Sequence, residues 1–411
     1  MNEQLIVKNF GPIKDATVDF KRVTVFIGPT GGGKSTLAKL AAVFRDASQY
    51  DVTNDNNIKS KSAYKEFLLM GHFTGDTSLK FNSKSSLIKF EDNDFVIELQ
   101  EPNKGSMEGD FAEVEKIVGK LESLISKHSY TLDKKEKKVV AEEYARLRFK
   151  ATQLFNKTAS SYATQLAPSR SHYLPAERAF VPSLEYSWAG LMRDDIGLPK
   201  LLLQFANSFS LSRKEVPELD IPFLNVKYLH IDGRDFIKIP EREEPLMLLE
   251  TASGIQSVTP LLVLLEHLSR NTEQAQSFII EEPELNLYPT AQQGLLNWLV
   301  EKCTKGENDL TITTHSPYLL AHFNLLLYAH QVAKNHPDRA DDVAKIVPRE
   351  SWIDPKEFAA YHVEGQQENG VRSIINSETG LISHNSLDST ASAETAEFEK
   401  LLDINAGLEV E

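Results

Sequence analysis

At 411 residues, with 41% hydrophobic and 25% charged side chains, the chain has an ordinary globular composition and room for one α/β domain with an inserted lobe, or for two modest domains. A net charge of −14 excludes a protein that coats DNA over its whole surface, because phosphate affinity comes from Lys and Arg; local basic patches or a partner are what remain to hold nucleic acid. No apolar run reaches membrane-spanning length, Met1-Asn2-Glu3-Gln4 does not open a signal peptide, and the single Cys303 permits neither an internal disulfide nor a cysteine-based zinc site, so a cytoplasmic setting with no membrane partner is expected.

Leu5-Ile6-Val7 and Ala16-Thr17-Val18-Asp19-Phe20 read as two strands around a Gly11-Pro12 turn. Val23-Thr24-Val25-Phe26-Ile27 is a near-continuous apolar run, the pattern of a strand buried on both faces. It leads into Gly28-Pro29-Thr30-Gly31-Gly32-Gly33-Lys34-Ser35, after which Thr36 to Phe44 reads as a helix. Strand, glycine loop and helix in that order form a phosphate-binding loop. Gly28, Gly31, Gly32 and Gly33, with Pro29 and Thr30 between them, let backbone N–H groups turn inward around a polyphosphate. Lys34 is expected to reach the β- and γ-phosphates, the Ser35 hydroxyl to ligate Mg²⁺, and Thr36 to add a hydroxyl near the α-phosphate.

The pattern changes between residues 51 and 164. Asp51 to Asn57 is a polar linker, and Ser78 to Gln100 carries short alternating segments expected to form an antiparallel β unit. Phe111 to His128 and Leu132 to Leu166 have helical periodicity with many charges, which predicts a helical hairpin projecting from the core. The basic run Lys134-Lys135-Glu136-Lys137-Lys138 is either a solvated helix face or a contact for nucleic acid or a partner.

The core pattern resumes at Ser171-His172-Tyr173-Leu174-Pro175-Ala176-Glu177-Arg178, and two alternating arms around Asp232-Gly233 predict a hairpin. Ser253-Gly254 opens a helix, where backbone N–H groups and a hydroxyl suit a phosphate; Gln256 lies in its first turn. Phe278-Ile279-Ile280 is an apolar strand ending in Glu281-Glu282-Pro283. Alone this is an acidic turn, but open α/β sheets bind ligands at the carboxyl ends of their strands. With a phosphate loop upstream, Glu281 is expected to hold Mg²⁺ and Glu282 to orient and deprotonate the attacking water. Leu310-Thr311-Ile312-Thr313 predicts another strand, followed by His315, a hydrogen-bond donor to the γ-phosphate. Beyond residue 330 the chain is less apolar, and 383–396 is rich in Ser, Thr and Ala.

Taken together these stretches resemble the ABC-type ATPases of the RecF, SMC and OLD branch. Leu5 to Ile13 resembles that branch's first strand and turn, Ser253-Gly254-Ile255-Gln256 its signature motif, and Glu281 to Pro289 with Thr313 to Pro317 its Walker B, D-loop and H-loop regions. The resemblance implies an α/β ABC-ATPase head, a P-loop NTPase with a mixed sheet and helices on both faces, split between 1–50 and 165–330. A β/helical-hairpin lobe is inserted at 51–164, and 331–411 is a C-terminal appendage. It also implies ATP and Mg²⁺ as ligands, and a homodimer or higher assembly in which Ser253, Gly254 and Gln256 of one copy face the phosphate loop of another. The sequence departs from the pattern at Ile255, where a second glycine is usual, and at Glu281, where Asp is commoner. A Mg²⁺-sensing Gln is not obvious: Gln100 is one candidate, and the Tyr173–Arg178 stretch another source of the equivalent strand.

Tyr361-His362-Val363-Glu364-Gly365 resembles the opening of a Toprim nuclease domain, but about 50 residues follow it, too few for a sheet with crossover helices. It is therefore expected to be a strand and turn of the appendage, and the chain an ATPase without nuclease activity. Among such heads the ATPase subunits of Septu-type antiphage systems and of retrons are the resemblance that implies a separate nuclease effector. The alternative is a RecF- or SMC-like head that binds DNA directly in repair or chromosome maintenance.

Overall fold

The computed structural model describes residues 3–46, 61–84, 86–91, 94–99, 113–114, 116–121, 123, 141–154, 169–184, 197–368 and 370–383. The linker at 51–57, Gln100, the basic run at 134–138 and the stretch 384–396 lie outside them.

Fifteen strands are described: β1 Glu3–Phe10, β2 Ile13–Phe20, β3 Val23–Ile27, β4 Phe73–Asn82, β5 Ser86–Glu91, β6 Asp94–Leu99, β7 Ser169–Leu174, β8 Glu218–Ile221, β9 Val226–Ile231, β10 Arg234–Lys238, β11 Leu246–Met247, β12 Ala275–Glu281, β13 Asp309–Thr314, β14 Phe358–Val363 and β15 Val371–Ser373. The longer helices are α1 Lys34–Arg45, α2 Lys200–Glu215, α3 Ser253–Ser269, α4 Pro289–Cys303 and α5 Pro317–Asn335.

The central sheet has the order β15-β14-β3-β13-β12-β7. It is parallel from β14 to β7, with β15 antiparallel at one edge. Alternation along its strands divides two cores. Val23, Val25 and Ile27 of β3 and Phe278 and Ile280 of β12 face a core shared with Leu262, Leu295 and Phe323 of α3, α4 and α5. Phe26 and Ile279 face the other core, with Leu37, Leu40 and Ala41 of α1 and Leu5, Val7 and Phe81 of a second sheet. The expected mixed sheet with helices on both faces is the fold the chain adopts.

The alternating segments after Ser78 form the expected antiparallel unit, and β4 pairs with β1, giving an antiparallel sheet β2-β1-β4-β5-β6 that packs on α1. The reason is burial, since Leu79, Phe81, Ile88 and Phe90 find their apolar neighbours on the β1–β2 unit. Among the described residues beyond 331, β14 joins the central sheet. Every residue of β14 is buried, and the strand lies directly beside β3.

The two sheets are also tied by charge. Arg45, at the end of α1, reaches Glu3 at 2.7 Å and Asp309 at 3.1 Å, with all three groups buried. Its guanidinium lies over the Phe20 ring, 4.4 Å from the centroid.

β7 carries a group that links stability to pH. His172 is hydrogen-bonded to Gln276 at 2.7 Å and stacked on Phe278, and burial pushes its imidazole down to about 4. Its folded value lies below its unfolded value, so the stabilisation is complete above the ordinary imidazole value and is lost as pH falls towards 4. Between pH 7 and pH 5 the cost is on the order of 2 kcal/mol. Denaturant titrations at the two pH values should show that drop, and His172→Gln should reduce it.

Candidate functional site

β3 ends in a loop whose backbone needs glycine at defined points. Gly28, Gly31 and Gly33 have φ of +149°, +77° and +106°, and Gly33 caps α1. A Cβ on Gly28 would stand 2.3 Å from the Val363 carbonyl oxygen, and one on Gly32 would stand 2.4 Å from the same atom. The loop is therefore glycine-rich for two reasons: three of its residues have positive φ, and β14 presses on its outside. Pro29, Thr30, Gly31 and Ser35 are exposed, whereas Lys34 and Thr36 are buried. Lys34 Nζ donates to the carbonyls of Gly28 and Pro29, each at 2.9 Å. Burial lowers its pKa, against the opposing charges of Glu282, Glu281 and Glu284.

Those acids come from the end of β12, next but one to β3 in the sheet. Glu281 is 6% exposed, and its Oε1 is buried without a hydrogen-bond partner. The phenol of Tyr173 is held above its ordinary value by burial and by the charge of Glu281. A buried, unpartnered carboxylate oxygen fits a ligand-bound or hydrated cation. Glu282 departs from the strand in the left-handed region, with φ +41°, a conformation that non-glycine residues adopt at a cost of roughly 1–3 kcal/mol. That turn directs its carboxylate to His315, whose Nε2 lies 3.3 Å from Glu282 Oε1. Burial and Lys34 lower the pKa of His315, with Glu282 opposing, so the imidazole is neutral at pH 7.

A third acid, Glu284, lies in the stretch Glu281 to Pro289 that the sequence reading matched to Walker B and the D-loop without giving it a role, and it ties these parts together. Glu284 accepts hydrogen bonds from the Thr314 hydroxyl and from the His315 N–H at 3.1 Å. Burial raises its pKa, while those hydrogen bonds oppose the rise. Glu284 thus sets the end of β13 against the turn after β12, and so sets the distance from His315 to Glu282.

The sequence reading missed two further participants. Gly365, just past β14, donates its N–H to the Gly32 carbonyl at 2.8 Å and accepts from the Lys14 N–H at 2.9 Å. It joins the phosphate loop to the start of β2. The signal available was the glycine following an apolar run, but both of its partners lie near the opposite end of the chain. Arg178 is the other: fully buried, it donates to the carbonyls of Pro175 at 3.1 Å, Glu281 at 2.7 Å and Glu282 at 2.6 Å.

The residues expected at the start of α3 meet the turn after β12. Ser253 is exposed at the start of the 17-residue helix. Gly254 is buried against the loop after Glu282, where a Cβ would meet the Asn286 carbonyl oxygen at 2.6 Å. Gln256, in the first turn of α3, has its side chain engaged within the chain. Its amide N–H₂ donates to the carbonyls of Leu249 and Thr251, at 2.9 and 2.7 Å, and braces the turn that enters α3.

Among the solved structures that show similarity are three at low identity. They are an Smc head domain with an extended coiled coil from Pyrococcus furiosus (10% identity, TM-score 0.38, covering 97% of this chain and 99% of that one), an SMC head domain from Thermotoga maritima (10%, 0.35, 78% and 92%), and the recombination mediator protein RecF (12%, 0.29, 77% and 93%). No curated protein matches in sequence. Among the described residues, no helix is long and apolar enough to cross a membrane. A family model described as an AAA ATPase domain matches residues 1–320, well over half of the chain, and the protein belongs to that ATPase family.

Proposed function

We propose that this protein is an ATP-hydrolysing head of the RecF, SMC and OLD kind whose site is completed by a second copy, and that its ATP state controls a separate effector, a nuclease of antiphage defence. The observation that carries the two-copy reading is the position of Ser253. It stands exposed at a helix start whose next residue leans on Asn286, not on the phosphate loop. A helix start of this kind offers N–H groups and a hydroxyl to a phosphate brought by another molecule.

Each residue then has a task. The N–H groups from Gly31 to Lys34 cradle the polyphosphate, with Lys34 turning from its loop carbonyls to the β- and γ-phosphates. Ser35 and Glu281 fit Mg²⁺, which when bound neutralises charge on the β- and γ-phosphates. Glu282 accepts the proton of the attacking water, and neutral His315 donates a hydrogen bond towards the γ-phosphate. The effector reading rests on the family resemblance.

The test is complementation between defective copies. Ser253→Arg is expected to bind ATP without hydrolysing it, and Lys34→Ala not to bind it. Mixing the two purified proteins should restore up to about a quarter of wild-type turnover, because one composite site in a mixed dimer has both good halves. No recovery at any ratio would overturn the two-copy site.

A further inference from the structure

The stretch Tyr173–Arg178 runs from the last two residues of β7 into the short helical turn that follows, and its arginine has a partner set unusual for a buried cation. Arg178 is fully buried, and its hydrogen bonds go to three backbone carbonyls, not to any carboxylate. Burying a guanidinium is costly, and carbonyl partners offset that cost only when the fork geometry is met. Two of those carbonyls belong to successive residues, Glu281 and Glu282. In an extended strand successive carbonyls point to opposite sides, so one planar fork cannot gather both. They converge here because the chain turns at Glu282 into the left-handed region. The same turn brings the Glu282 carboxylate to 3.3 Å from His315.

We infer that Arg178 is a positioning residue for hydrolysis: its guanidinium clamps the Glu281 and Glu282 carbonyls and thereby holds the Glu282 backbone in the left-handed conformer that aims its carboxylate at the attacking water. The inference rests on the reading of Glu282 as the general base. Burial pulls the Arg178 pKa down to about 10, against the charges of Glu284, Glu282, Glu281 and Glu177, so the side chain remains cationic at neutral pH. The Glu282 N–H also donates to the Thr313 carbonyl at 2.9 Å, and its carbonyl accepts from the Leu285 N–H at 3.1 Å. Losing the clamp therefore leaves the turn in place but less firmly held, and the Glu282 carboxylate shifts from His315. Nucleotide binding, which uses the phosphate loop, is unaffected.

A double-mutant cycle on the full chain tests this. Single-turnover hydrolysis and ATP affinity are measured for wild type, Glu282→Gln, Arg178→Lys and the double variant. Lys keeps the charge but lacks the fork. Arg178→Lys should slow the chemical step about tenfold or more while leaving the ATP Kd within about threefold. The double variant should be no slower than Glu282→Gln alone, because the clamp has no base left to position. If Glu282→Gln is slow but the two effects multiply, or if Arg178→Lys hydrolyses at the wild-type rate, the positioning role is overturned and the base assignment stands. Wild-type turnover in Glu282→Gln would overturn the base assignment instead. Arg178→Gln, which keeps one amide N–H₂ donor, is the second variant. If neither variant folds, as judged by thermal unfolding, Arg178 is a residue of the fold and the inference is wrong.

Discussion

Glu282→Gln should lower ATP turnover by roughly 10²–10⁴-fold, the range for removing a positioned general base, while ATP still binds. The substitution keeps the size of the side chain and a hydrogen-bond partner for His315, so the loss is of proton-accepting capacity. Lys34 and the loop N–H groups are untouched, and one negative charge leaves a site that already holds Glu281 and Glu284. ATP affinity should therefore hold or rise, and the ATP-bound assembly should accumulate in size-exclusion runs with the nucleotide present. The pH profile gives a second readout. In the wild type Glu282 opposes the lowering of the His315 pKa. Taking that charge away moves the imidazole further down, so whatever turnover remains should lose its acid limb to lower pH. Wild-type turnover in the variant would remove Glu282 from the reaction.

Gly365→Val should abolish measurable ATP binding, an effect as large as substitution within the phosphate loop itself. A Cβ at this position would meet Ile13 Cδ1 at 2.4 Å, the Pro12 carbonyl oxygen at 2.8 Å and the Gly32 carbonyl oxygen at 3.0 Å. The side-chain methyl of Ile13 can move, but two of the three obstacles are backbone. Relief requires Gly365 to withdraw, which breaks its hydrogen bonds to Gly32 and Lys14 and frees the outer wall of the loop. Overpacking of this kind costs about 1–3 kcal/mol in stability, so the fold should survive with a lowered melting temperature. Titration with a fluorescent ATP analogue would detect the loss. Undiminished affinity would show that the β14–β15 end is not needed to shape the loop.

The parts of the site legible in the sequence are those where chemistry concentrates unusual residues in a short window. A phosphate loop needs several adjacent glycines followed by Lys34 and Ser35, and no ordinary turn does. Glu281 and Glu282 were legible through their apolar strand, since a run buried on both faces must lie inside a sheet and its end must reach the edge. Strand order was not legible. Phe358–Val363 is apolar enough to be a strand, but its place beside β3 follows from a pairing of segments from opposite ends of the chain. The roles of Arg178 and Glu284 were hidden for a related reason. A lone charged residue in a turn reads as solvent-facing, and only the assembled sheet ends supply the carbonyls and N–H groups that let these two be buried. Gln256 shows a different gap: the sequence puts it beside a helix start suited to phosphate, and only the structure shows its amide donating to the turn beside it.

The place of β3 has a consequence for how the protein is made. The strand that carries the phosphate loop leaves the ribosome long before its two neighbours in the sheet, β13 and β14, which begin at Asp309 and Phe358. Until those segments are synthesised, Val23–Ile27 has neither edge paired, and the nascent chain holds an apolar strand with nothing to hydrogen-bond on either side. Exposed strands of this kind invite mispairing and depend on chaperones during translation. Nucleotide capture thus comes late in synthesis, and ribosome-stalled chains ending before Phe358 should not retain ATP, however complete their phosphate loop.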